Sequence, residues 1–70
     1  MKGNSMRFII EYQKGDKNGV AEFSNYVSLA KFMLKLADNG YELIGQEIQQ
    51  REEFGAKTTY VIFKFMKGEK

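Results

Sequence analysis

Only one stretch of this chain repeats its apolar residues with the period of a helix, and that limits every fold open to it. Leu29, Phe32, Met33, Leu36 and Ala37 follow the i, i+3, i+4, i+7 spacing that lines one helix face. Ser24 or Ser28 offers an oxygen to cap the start. Asn39 and Gly40 end the segment, Gly40 suiting the left-handed position just past a helix. Lys31, Lys35 and Asp38 mark the wet side, yet Ala30 and Leu34 add to the apolar side. At ~100° per residue the apolar arc then reaches about 200°, broader than one sheet face needs. The reading that follows is an oligomer contact on the helix at Ala30 and Leu34, covered by a second chain.

The length of 70 residues points the same way. A chain this short buries only about 60% of the surface its unfolded form exposes. Small domains offset this with disulfides, a metal or a partner chain. There is no cysteine and no histidine, so disulfides, thiolate metal sites and the commonest metal ligand are closed routes. Self-association into a homodimer is the remaining expectation.

Around the helix the period falls to two. In residues 6–13, Met6, Phe8, Ile10 and Tyr12 share one face while Arg7, Ile9, Glu11 and Gln13 share the other. Lys14, Gly15, Asp16, Lys17, Asn18 and Gly19 supply hairpin-loop residues, and residues 20–23 return as a short edge strand. Residues 41–50 form a third strand with a parity break: Tyr41 and Leu43 fall on one side, Ile44 and Ile48 on the other. A bulge at Gly45 reconciles them by inserting one residue. Residues 51–56 read as a charged loop, and residues 58–66, rich in β-branched and aromatic side chains, as the last strand. There Val61, Phe63 and Phe65 take one face and Tyr60, Ile62, Lys64 and Met66 the other.

The expected fold class is therefore α+β. Its order is β-β-α-β-β, a four-stranded, mainly antiparallel sheet with one helix packed on one face. One domain spans residues 6–66. Residues 1–5 read as a disordered leader or cloning remnant and residues 67–70 as a frayed tail.

The chain resembles a family of short bacterial and phage proteins grouped only as a domain of unknown function. The residues that carry the resemblance are the helix 29–39, the Gly40, Tyr41, Glu42, Leu43 run that follows it, and the closing Tyr60, Val61, Ile62, Phe63, Lys64 and Phe65. They cover roughly half of the chain. What the resemblance implies is a fold and a bacterial, phage or prophage setting, with no activity attached.

Catalysis lacks its usual agents. Without His or Cys the common general base and the best nucleophile are both missing. Glu42 with Glu47, and Glu52 with Glu53, are the carboxylate pairs left for acid–base work or Mg²⁺. Glu42 and Glu47 have opposite parity unless the bulge realigns them, and they lie on an open sheet. A one-helix sheet has little room for the ~300 Å³ from which ligand pockets start. The glycines and lysines of 14–19 lack the spacing of a phosphate-binding loop. The reading is thus not an enzyme, with no catalytic, cofactor-binding or metal site and no small-molecule substrate.

What remains is surface. With one helix, one sheet face meets water or another molecule, and Arg7, Ile9, Tyr60, Ile62 and Lys64 are its candidate interaction residues. Ile9, Ile62 and Tyr60 would form an apolar centre inside a charged rim, suited to an unidentified protein partner. The alternative is a single-stranded nucleic-acid module, with Tyr60 stacking on a base and Arg7 and Lys64 on phosphates. The formal charge of +2 permits that partner without arguing for it. No apolar run approaches the ~18 residues of a membrane span, and residues 1–5 lack a signal peptide's apolar core. These point to the cytoplasm and to no membrane. The function expected is a small non-enzymatic interaction protein, a homodimer binding another macromolecule, in the manner of a phage-encoded modulator of a host protein.

Overall fold

The structure, a computed structural model, describes residues 4–68. Strand β1 (Asn4–Lys14) and β2 (Lys17–Phe23) form one hairpin, helix α1 (Tyr26–Asp38) follows, and β3 (Glu42–Glu53) and β4 (Ala56–Lys67) form the second. The α+β class and element order are those read from the sequence. The sheet runs β2-β1-β4-β3, and its central pair β1–β4 is parallel, so the sheet is mixed. This corrects the mainly antiparallel expectation, and the cause is the helix. A single helix carries the chain back along the sheet, so the strands on either side of it run the same way. Two tight hairpins then turn β1 and β4 into parallel neighbours.

The strands are longer than the alternation suggested. Of the proposed leader, residues 1–3 lie outside the described residues, while Asn4 and Ser5 pair with Lys57 and Thr58. Of the proposed tail, residues 69–70 lie outside them, and Lys67 pairs with Lys14. The charged 51–56 segment is mostly strand: Glu53 pairs with Ala56, leaving Phe54 and Gly55 as the turn. Both have positive φ, 54° and 79°, the pattern of a type I′ hairpin. Lys14 likewise pairs with Lys17 across Gly15 and Asp16. The β3 bulge falls between Leu43 and Gly45, putting Leu43 and Ile48 on one face.

The helix cap is Asn25, not Ser24 or Ser28: its Oδ1 accepts from the Ser28 backbone N–H at 2.9 Å. At the other end Gly40 N–H donates to the Ala37 carbonyl and Tyr41 N–H to that of Leu36, each at 3.0 Å. This is the Schellman arrangement, made possible by Gly40 at φ 89°.

Phe8, Ile10, Leu29, Leu36 and Phe65 form the buried core, with Ile10 fully enclosed. Ala37, read as part of the core stripe, is exposed. The helix lies toward one side of the sheet. Its Phe32 ring meets Phe23 of β2 at 5.4 Å and Tyr12 of β1 at 5.6 Å, and its Tyr26 meets Phe8 at 4.9 Å. On β4, Val61 and Phe63 are only half-buried, and on β3 Leu43 and Ile48 are exposed. Burial therefore falls off from β1 to β4 to β3. The reason is width: a helix with its side chains is about 10 Å across, and two strands at about 4.8 Å spacing fill that span.

Candidate interaction surfaces

The face away from the helix brings together the five residues singled out in the sequence. Parallel pairing sets Arg7 beside Tyr60, Ile9 beside Ile62 and Glu11 beside Lys64, and antiparallel pairing adds Gln49, Glu47 and Gly45 of β3 on the far side of β4. Ser5 and Thr58 hydroxyls share a hydrogen bond of 3.4 Å at one end. The five form one contiguous patch, as the alternation implied.

The chemistry of that patch differs from the sequence reading. Ile62 is only 6% exposed and Ile9 is half-buried, so flanking side chains already close over the apolar centre. Both cations are engaged: Arg7 forms an ion pair with Glu22 of β2, and Lys64 Nζ lies 3.3 Å from Glu47 Oε1. Arg51 sits over the Tyr60 ring, 4.7 Å from its centroid, in cation–π contact. Each pair is half exposed and contributes little to stability. Their effect is on recognition. A phosphate must compete with a carboxylate for Arg7 and Lys64, and a base must displace Arg51 to stack on Tyr60.

The bulge does realign Glu42 and Glu47 onto this face, opposite Met66 and Ile62, while Glu52 and Glu53 stand at the far end of the strand. Among the described residues no three His, Cys, Asp or Glu side chains gather as a metal site would require. A depression of about 450 Å³ borders Glu11, Val20, Ile44 and Lys64. It exceeds the room expected for a pocket, but it is open, and its ionisable side chains are Glu11, Tyr12 and the ion-paired Lys64.

The second surface lies on the helix side and was only half seen in the sequence. Ala30 and Leu34 are exposed as expected, Leu34 by 65%, and Val27 joins them. Sequence reasoning missed what lies next to them. The helix lies toward β2 and β1, and although Phe65 of β4 is buried in the core, the outer part of the same face is less covered. There Val61 and Phe63 of β4 are half-buried against the core, and on β3 Leu43 and Ile48 are exposed on either side of Gln46. Ile48 is 64% exposed. The signal available was the bulge itself, which moves Leu43 and Ile48 together. Phe54 stands fully exposed at the β3–β4 turn, a further residue the sequence reading passed over.

Comparisons with family models, with curated proteins and with solved structures gave no match. Among the described residues, no helix is long and apolar enough to cross a membrane.

Proposed function

We propose that this protein is a non-enzymatic interaction module of the cytoplasm that works as a homodimer and binds another macromolecule. The observation that carries the reading is the group of exposed apolar side chains on the helix side, Val27, Ala30 and Leu34 of α1 with Leu43 and Ile48 of β3. Apolar surface in one continuous patch marks association sites on soluble proteins. The open face, with its ion pairs and shielded Ile62, is the surface left for the other partner. A phage- or prophage-encoded modulator of a host protein suits a chain of this size that works by contact.

Two measurements test it together. Sedimentation equilibrium is expected to show a dimer that dissociates on dilution. Affinity capture from host lysate, with and without nuclease, is expected to yield a protein whose retention survives nuclease and is lost in Tyr60→Ala/Lys64→Ala. A strict monomer at high concentration removes the homodimer. Retention abolished by nuclease transfers the open face to a nucleic-acid partner.

A further inference from the structure

We propose that the free edge of β2 takes up an extended segment of a partner protein, one that carries an apolar and an acidic side chain two positions apart. This goes beyond the reading above, since it uses neither the open face nor Val27, Ala30 and Leu34 of α1. The backbone is the first reason. Strand β2 ends the sheet and pairs only with β1. Successive residues of an edge strand turn their N–H and C=O groups alternately toward the neighbour and away from it. Counting from the Lys14/Lys17 pair that closes the hairpin turn, Asn18, Val20 and Glu22 are the residues that turn outward. Such a row of unpaired donors and acceptors is what an added strand pairs with. The other free edge, β3, is broken by the shift at Leu43/Gly45 and carries the charged run Arg51 to Glu53. The β2 register is unbroken, and the strand holds no proline.

The helix supplies the selection of side chains. Between α1 and the β2 edge lies an open groove of about 360 Å³, lined by Phe23, Ser28, Lys31, Phe32 and Lys35. Phe23 and Phe32 are half-buried with their rings 5.4 Å apart, and they form an apolar floor already held by the fold. Lys31 and Lys35 are exposed, and neither forms an ion pair among the described residues. Four residues of helix separate the two lysines by about 6 Å along the axis, close to the ~6.8 Å between alternate side chains of a strand. An added strand points every second side chain to the α1 side. That sets an apolar group over the two rings and a carboxylate beside a lysine. Nucleic acid suits the lysines but not the edge. Phosphate oxygens only accept hydrogen bonds, whereas the edge offers N–H and C=O groups in equal number, which another peptide backbone matches.

The test selects unconstrained peptides of about eight residues from a displayed library on the immobilised intact protein, then titrates the enriched peptide by fluorescence. The expected peptides carry Asp or Glu two positions from an apolar residue, and they bind more weakly as salt rises. Lys31→Glu/Lys35→Glu is expected to weaken binding by about tenfold or more through like charge. Val20→Pro is expected to do the same by removing an outward N–H, a place where an edge strand accepts proline. Circular dichroism checks that both variants fold, and the lysine variant alone carries the test if the proline variant does not. On binding, the amides of Asn18, Val20 and Glu22 are expected to gain protection from hydrogen exchange, while Tyr60→Ala/Lys64→Ala leaves the affinity unchanged. Failure to enrich such a peptide, or binding that survives the lysine variant, overturns the proposal. So does loss of binding in Tyr60→Ala/Lys64→Ala, which gives the peptide to the open face. Protection of the same amides that grows with protein concentration alone overturns it in favour of a second copy at this edge, and capture of single strands in place of peptides overturns it in favour of nucleic acid.

Discussion

Gly19 offers the sharpest test of how the Tyr12 ring packs beneath the helix. A Cβ at this position would lie 2.3, 2.5 and 2.6 Å from Cζ, Cε2 and Oη of Tyr12, its cross-strand partner. The ring lies flat over a residue with no side chain, and there it meets Phe32 at 5.6 Å and Tyr41 at 6.1 Å. Gly19→Ala must lift the ring away from both. Each aromatic contact is worth about 0.5–1.5 kcal/mol beyond its area, so the loss is about 1–3 kcal/mol. Removing a glycine returns about 0.4–1 kcal/mol through the unfolded chain. The net expectation is destabilisation of about 1–2 kcal/mol, and at about 4–8 °C per kcal/mol the thermal midpoint falls visibly. The decisive assay is a double-mutant cycle by urea unfolding at one fixed protein concentration. With Tyr12→Ala in place nothing remains to displace, and Gly19→Ala is expected to become neutral or stabilising. An equal cost in both backgrounds, within the ~0.5 kcal/mol seen for independent sites, refutes the packing.

Three further outcomes follow from single features. Phe54 holds φ at 54° in a two-residue turn, so Phe54→Asn, the residue such turns favour, is expected to raise stability by about 1 kcal/mol; thermal melting that shows no rise counts against the turn geometry. Asn25→Ala removes the Oδ1 that caps α1 and is expected to cost about 0.5–2 kcal/mol, with Asn25→Ser retaining most of the stability; equal loss in both variants would deny the cap. Titration with fluorescent single strands is expected to show no binding that weakens steeply with salt, because Arg7 and Lys64 are already paired. Salt-sensitive binding lost in Tyr60→Ala and Lys64→Ala would reverse that assignment.

Much of this architecture was legible because period is a local property. Alternation at Phe8, Ile10 and Tyr12, and at Val61, Phe63 and Phe65, assigned both central strands to the correct face. The broken parity between Leu43 and Ile44 located the bulge. What escaped depends on contacts between distant segments. The direction of β1 against β4 follows from the helix crossing back, a step the alternation does not encode. Residues 51–53 look like a loop by charge, yet they extend the strand because β4 offers partners for them. The capping residue was missed because three candidates lie within five positions, and only the first helical turn decides among them. On the open face the sequence placed all five residues correctly. It could not show that Glu22, Glu47 and Arg51 arrive from neighbouring strands to occupy them.

The two surfaces bear on each other through energetics. Burying the exposed two-thirds of Leu34 and of Ile48 contributes about 1–2 kcal/mol for each side chain, whereas association costs about 4–15 kcal/mol. If the chain self-associates as proposed, a patch of a few such side chains per protomer would give a dimer that responds to concentration, with a melting temperature that rises with it. On the open face the cations are engaged by neighbouring side chains, Arg7 by Glu22, Lys64 by Glu47 and Arg51 by the Tyr60 ring. In a dimer joined through the helix-side faces, the two open faces would turn outward, in opposite directions. A partner carrying two copies of a modest epitope then meets two sites at once, and the second contact forms at high effective concentration. An individually weak surface can in this way support firm binding, but only at concentrations where the helix-side contact holds. Self-association would set when the protein binds, and the open face would set what it binds.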